Sequence, residues 1–113
     1  MLLIKKGVMP NNLRIAAACI NVAIENNLSL DIVITSGVDG KHMVNSDHYA
    51  GNALDVRSKV FQDKDEKLWY ASKVMEKLGK DYQFLLEFEG KPNEHFHFQY
   101  HPKKSLLEGT SNV

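Results

Sequence analysis

The sequence predicts an α+β fold, a small antiparallel sheet backed by helices, and three observations carry that prediction. An alanine-rich segment repeats its apolar residues at three- and four-residue spacing, as an amphipathic helix does. Four short segments are β-branched or alternate apolar with polar residues. The order is helix, strand, irregular loop, strand, helix, hairpin, which assembles most economically as one sheet with two helices on it. The first helix is predicted from Leu13 to about Asn26, with Leu13, Ala16, Ala17, Ile20, Ala23 and Ile24 as its stripe and Asn26-Asn27 as its stop. Leu30 to Thr35 is the first strand, and the turn-rich stretch from Ser36 to Ala50 is irregular. Asn52 to Ser58 alternates, with Leu54 and Val56 toward the core and Ala53, Asp55 and Arg57 on the other face. Asp63 to Leu78 is the second helix, acidic first and basic last, with a stripe of Leu68, Ala71, Val74, Met75 and Leu78 ended by Gly79. Gln83 to Phe88 and His95 to Tyr100 form a hairpin through Gly90, Lys91, Pro92 and Asn93.

Composition narrows the function classes. At 113 residues the chain is expected to be a single domain, 1–113, with its core at about 10–102 and a polar C-terminal tail. Fourteen basic residues balance fourteen acidic ones, so no net field recruits nucleic acid. One cysteine, Cys19, excludes an intrachain disulfide framework and a multi-cysteine zinc site. No apolar run reaches the ~18 residues of a membrane helix, so no membrane insertion is expected. At the start, Met1 to Ile4 precede Lys5 and Lys6, the reverse of a secretory signal. Synthesis in the cytoplasm without an export address is the expectation.

The chemistry concentrates in two segments. In His95-Phe96-His97-Phe98-Gln99-Tyr100 the three aromatics share one face and His95, His97 and Gln99 the other, with the imidazoles ~6.6 Å apart along the strand. In Ser46 to Arg57, Asp55 faces away from the core, and His48 precedes it by seven residues with Gly51 between. If the loop folds back, a histidine and a carboxylate converge, and one histidine from another strand completes a three-ligand N/O site with an open fourth position. The plainer readings are a solvated polar face for the histidine strand and a His48–Asp55 hydrogen bond that ties the loop down.

Ser46-x-His48-x-x-Gly51-x-Ala53-x-Asp55 resembles the zinc motif of the M15 peptidases, the D-Ala-D-Ala carboxypeptidase and dipeptidase family, which shares its fold with the Hedgehog signalling domain. Glu94-His95-Phe96-His97 resembles the second motif, Glu-x-x-His, and Ser36-Gly37 resembles the Ser-Gly that opens the substrate loop. The likeness spans roughly residues 30 to 100. It implies that His48, Asp55 and His97 bind one Zn²⁺, that Glu94 is the general base, and that His95 donates a hydrogen bond in the transition state. Ser36, His42, Ser46 and Arg57 are the implied substrate-side positions. Alternation, however, sets His95 on the metal face and Glu94 on the other, so the resemblance requires Glu94 to reach the water from the strand's start. A second departure follows Ser36-Gly37: many relatives carry a carboxylate-holding arginine there, whereas this chain has Val38-Asp39-Gly40-Lys41-His42. Lys41, His42 or Arg57 is left to supply the positive charge.

The resemblance implies a peptidase acting on peptidoglycan stem peptides or D-amino-acid peptide precursors, as a carboxypeptidase or as a phage endolysin-type endopeptidase delivered by holin or virion. A non-catalytic, zinc-stabilised module that binds cell wall or assembles into a virion is the alternative. Tyr49 and Trp69 are expected to pack, and Cys19 to be a buried thiol. Glu87 and Glu89 are expected on opposite faces of their strand, with no role as a carboxylate pair.

Overall fold

The structure, a computed structural model, describes residues 1–6, 12–37 and 53–101. Among the described residues seven elements follow in chain order: β1 (Leu2–Ile4), α1 (Leu13–Glu25), β2 (Ile32–Ser36), β3 (Ala53–Arg57), α2 (Lys64–Leu78), β4 (Tyr82–Glu87) and β5 (His95–Tyr100). The five strands make one sheet in the order β1-β2-β3-β5-β4, in which only the β1–β2 pair is parallel. It is an α+β domain, as the sequence predicts. The addition is β1, which extends the sheet to Leu2, outside the expected core.

Both helices begin and end on identifiable signals. Asn12 caps α1 by accepting from the Ile15 N–H at 3.0 Å. Asp63 caps α2 by accepting from the Glu66 N–H at 2.9 Å, and Glu66 reaches back to the Gln62 N–H at 3.0 Å, so one first-turn donor and the N–H just before the cap are both satisfied. Gly79 ends α2 at φ +92°, a conformation that costs glycine nothing.

Leu54 and Val56 of β3, Phe96 and Phe98 of β5, and Ile32 and Ile34 of β2 are fully buried in one cluster with the helices. The aromatic centre is Tyr70 of α2, 4.7 Å from Phe61 and 5.6 Å from Phe96 between ring centroids. Its hydroxyl donates to the Cys19 carbonyl at 2.8 Å, tying α2 to α1 while satisfying a polar atom that burial would otherwise penalise. Cys19 is buried, as expected, and burial pushes its thiol up to about 12 despite the nearby Tyr70.

The buried stripe of α1 is turned from the predicted one. Ile15, Ala16, Ala18, Cys19, Val22 and Ala23 face the core, whereas Leu13 and Ile24 are 74% and 64% exposed. Both sets have helical spacing, and the chain buries the one whose small Ala and Cys side chains let the helix approach closely. In α2, Ala71, Val74 and Leu78 are buried as predicted and Leu68 is exposed. No helix among the described residues is long and apolar enough to cross a membrane.

Candidate metal centre

The helices cover one face of the sheet, and the side chains that carry chemistry stand on the other. Register brings them together. Asp55 of β3 pairs with His97 of β5, and Arg57 pairs with His95. On the far side of β5, His97 pairs with Leu85 and His95 with Glu87. Cross-strand neighbours share a face, so Asp55, His97, His95, Glu87 and Arg57 form one patch. On β2 the register slips by one residue between Ile34 and Ser36, so that Ser36 lies opposite Asp55. Two of the three expected ligands, 42 residues apart in sequence, therefore meet, and Ser36 is brought beside one of them.

The contacts are close. His97 Nδ1 lies 2.9 Å from Asp55 Oδ1 and 3.6 Å from Glu87 Oε1, and its Nε2 is 2.6 Å from Gln99 Oε1. Burial disfavours the charged ring. The Asp55 hydrogen bond, the Gln99 hydrogen bond and the charges of Asp55 and Glu87 outweigh it, so the His97 pKa is raised. His95 Nδ1 lies 2.9 Å from the Asn93 carbonyl, which only accepts, so this nitrogen carries a proton. Its Nε2 then faces the carboxylates, 2.9 Å from Glu87 Oε1 and 3.5 Å from Asp55 Oδ2.

Asp55, Glu87 and His97 each offer one ligand atom within 4.8 Å of the others, a group that could hold a metal ion. Two carboxylate oxygens and one imidazole nitrogen are donors a borderline divalent cation accepts. A tetrahedral zinc site spaces neighbouring ligand atoms ~3.3 Å apart, so the Asp55–His97 hydrogen bond needs to open only slightly to admit one. Gln99, accepting from Nε2, would leave Nδ1 as the nitrogen turned to the ion, the supporting role outer hydrogen bonds play around metal-bound histidine.

Glu94 requires a correction. It is 6% exposed and lies on the helix side of the sheet, in the same alternation as Phe96 and Phe98. Ser58 Oγ donates to its Oε1 at 2.6 Å, Lys67 Nζ of α2 is 2.6 Å from the same oxygen, and the Gly90 N–H donates to Oε2 at 2.8 Å. Burial raises its pKa, but the Gly90, Lys67 and Ser58 partners prevail and hold it at about 2. A carboxylate so committed, on the face away from Asp55 and His97, is not placed to take a proton from water there. Strict alternation was the better guide than the Glu-x-x-His spacing. Glu94 instead organises the β4–β5 turn that leads into His95.

Glu87 is the functional candidate that the sequence reading passed over. Two residues in succession by two share a strand face, so the expectation of opposite faces for Glu87 and Glu89 misplaced them. They are separated because β4 stops at Glu87, while Glu89 lies in the turn, 3.1 Å from Lys64. The register across the β4–β5 turn is what sets Glu87 opposite His95. Among the other predicted site residues, Arg57 stands exposed next to His95, and His42, Ser46 and His48 lie outside the described residues. Set against known family models, curated proteins and solved structures, the chain matches none of them.

Proposed function

We propose that the protein is a zinc-dependent peptidase of the M15 type, with a Hedgehog/DD-peptidase-like fold, that cleaves peptidoglycan peptides or their D-amino-acid precursors. The observation that carries the reading is the in-register meeting of Asp55 and His97, 2.9 Å apart, two residues that separate motifs of the resemblance nominate as ligands. Asp55 and His97 would hold the ion, with Glu87 within reach and His48 of the Ser46–Asp55 motif as the further ligand. Zinc, when bound, supplies Lewis acidity that polarises a carbonyl and acidifies water. The chain's own contribution is proton handling on the same face: His95, oriented through Nδ1 by the Asn93 carbonyl, accepts and returns a proton at Nε2, 2.9 Å from Glu87 Oε1. Glu94 takes no part in that step and positions the turn.

One observation favours the second reading, a non-catalytic zinc-stabilised module that binds cell wall. The carboxylate expected as base is sequestered by Lys67, Ser58 and Gly90. Incubation with purified peptidoglycan, with and without chelator, separates the two. Chelator-sensitive release of new amino groups or D-alanine is expected, lost in His95→Ala with zinc retained and kept in Glu94→Gln to the extent that the variant stays folded. Tight binding with no new termini would establish the module instead.

A further inference from the structure

The two edges of the sheet differ. β1, at one edge, is three residues long and is flanked by the amino terminus and by Lys5 and Lys6. Shortness and charge of that kind keep an edge strand from pairing with another chain. β4, at the other edge, runs six residues with no proline, glycine or basic side chain among them, and no strand of the described residues pairs with its outer side.

The ladder fixes which groups that edge presents. The His101 N–H donates to the Asp81 carbonyl at 2.7 Å, one step beyond the Tyr82–Tyr100 pair. Bonded and unbonded pairs alternate in an antiparallel ladder, so Gln83, Leu85 and Glu87 bond to β5, while the N–H and C=O groups of Phe84 and Leu86 point out of the sheet. Leu85, between them, is 51% exposed on the face that carries His97 and Glu87. One exposed leucine is ordinary, but this one stands at the middle of an unpaired edge.

The edge is complementary to itself. Two copies of β4 can pair antiparallel about a two-fold axis, which uses the same patch on both. Only an axis through a residue, not between two, sets outward groups opposite outward groups. Centred on Phe84, it brings Glu87 opposite Asp81 of the second copy, a like-charge pair, and needs the Tyr82 N–H, which already donates to the Gly79 carbonyl at 3.2 Å. Centred on Leu86, it sets Glu87 against an apolar Leu85 and runs past the end of the strand. Centred on Leu85, it sets Phe84 opposite Leu86 in bonded pairs and the Glu87 carboxylate opposite the Gln83 amide. The two Leu85 side chains then meet in an unbonded pair, where side chains come closest.

We infer that β4 pairs in this Leu85-centred register with β4 of a second copy, joining two five-stranded sheets into one. Both candidate metal centres then open on the same face, their Glu87 residues ~14 Å apart from the strand rise and spacing. A single strand-to-strand contact buries less than the ~1,600 Å² of a standard interface, so the dimer is reversible, with micromolar to millimolar affinity. It needs neither metal nor turnover and goes beyond the peptidase reading.

Sedimentation equilibrium of the chelator-treated full chain from micromolar to millimolar concentration, paired with amide hydrogen exchange, tests the pairing. A monomer–dimer equilibrium is expected, with the Phe84 and Leu86 amides gaining protection as concentration rises and those of Gln83 and Leu85 protected throughout. Leu85→Glu, at an exposed position, sets like charges face to face and should weaken dimerisation at least about tenfold without lowering the thermal midpoint of the dilute monomer. Gln83→Lys, opposite Glu87 of the second copy, should tighten it about threefold. A monomer at every concentration, association that Leu85→Glu leaves undiminished, or Phe84 and Leu86 amides equally protected in dilute and concentrated samples would overturn the pairing. No tightening in Gln83→Lys would overturn the Leu85-centred register. Absence of zinc binding or hydrolysis would strike the peptidase reading alone and leave the dimer standing.

Discussion

Asp55 and Glu94 are both buried carboxylates at the central β3–β5 pair, yet they lie on opposite faces and are held in opposite ways. Glu94 has a fixed cation, a hydroxyl donor and a backbone donor, all within 2.8 Å. Among the neighbours of Asp55 are two imidazoles, His97 at 2.9 Å and His95 at 3.5 Å. A metal ion at Glu94 would strand the Lys67 ammonium, whereas at Asp55 the ring nitrogen that donates to the carboxylate can itself become a ligand once its proton leaves. The first carboxylate is closed and structural. The second has partners that could themselves become ligands, as the proposed metal site requires, and is in that sense exchangeable. Burial alone does not distinguish them.

The largest expected effect breaks the closed side. Glu94→Ala removes one partner of a buried ion pair and leaves Lys67 uncompensated, a change that typically costs about 3–5 kcal/mol. Because Lys67 is 15% exposed and can reach toward water, the lower end of that range is expected, read as a lower urea midpoint. The ionisation of Glu94 gives a matching pH signature. Its pKa falls from 4.5 unfolded to about 2 folded, so the stabilisation is complete above pH ~4.5 and is lost as pH drops through about 2. That lowering is worth about 3 kcal/mol, and Glu94→Gln should flatten the acid limb of the stability curve. A variant at Glu94 that keeps full stability but loses all turnover would reverse the assignment of the two carboxylates.

The exchangeable side should respond in the other currency, affinity rather than stability. Asp55→Asn and His97→Ala are each expected to weaken zinc binding at least about 100-fold by calorimetry, with a much smaller change in unfolding midpoint than Glu94→Ala gives. Tight stoichiometric zinc in His97→Ala would remove that residue from the ligand set. Glu87→Gln sharpens the comparison further: loss of zinc marks Glu87 as a ligand, whereas retained zinc with impaired turnover marks it as the partner of His95.

How far the sequence led to this arrangement depends on the distance over which each signal acts. Alternation within one strand was readable: Leu54 and Val56 against Asp55, and Phe96 and Phe98 against His95 and His97, all lie as predicted. Facts that need register between strands were not. Glu87 enters the site only because a seven-residue turn, with Phe88 at φ +55° and Gly90 at φ +79°, sets it opposite His95. Ser36 meets Asp55 only through a one-residue slip. β1 is three residues long, too short to announce itself, and is stabilised by its parallel pairing with β2. The α1 stripe was misjudged because two faces of that helix carry apolar residues at the same period, and only the shape of the sheet chooses between them. The Glu-x-x-His spacing misled for a related reason: spacing along the chain does not state which face a strand's first residue takes.

The smallest effect tests whether support for the exchangeable side extends beyond its ligands. Gln99 Oε1 accepts from His97 Nε2 at 2.6 Å, and the Gln99 amide is in turn 3.4 Å from Gln83 Oε1. Gln99 is only partly buried, so Gln99→Leu keeps the strand and its packing while freeing the far nitrogen of His97. Without that acceptor the ring loses its preference for presenting Nδ1 to Asp55, and zinc affinity should fall about tenfold, the lower end of what outer partners of metal-bound histidine contribute. Stability should move by less than about 1 kcal/mol, since water can replace the lost hydrogen bond. A 100-fold loss would make Gln99 as important as a ligand, and no loss at all would mean that Asp55 alone orients the ring.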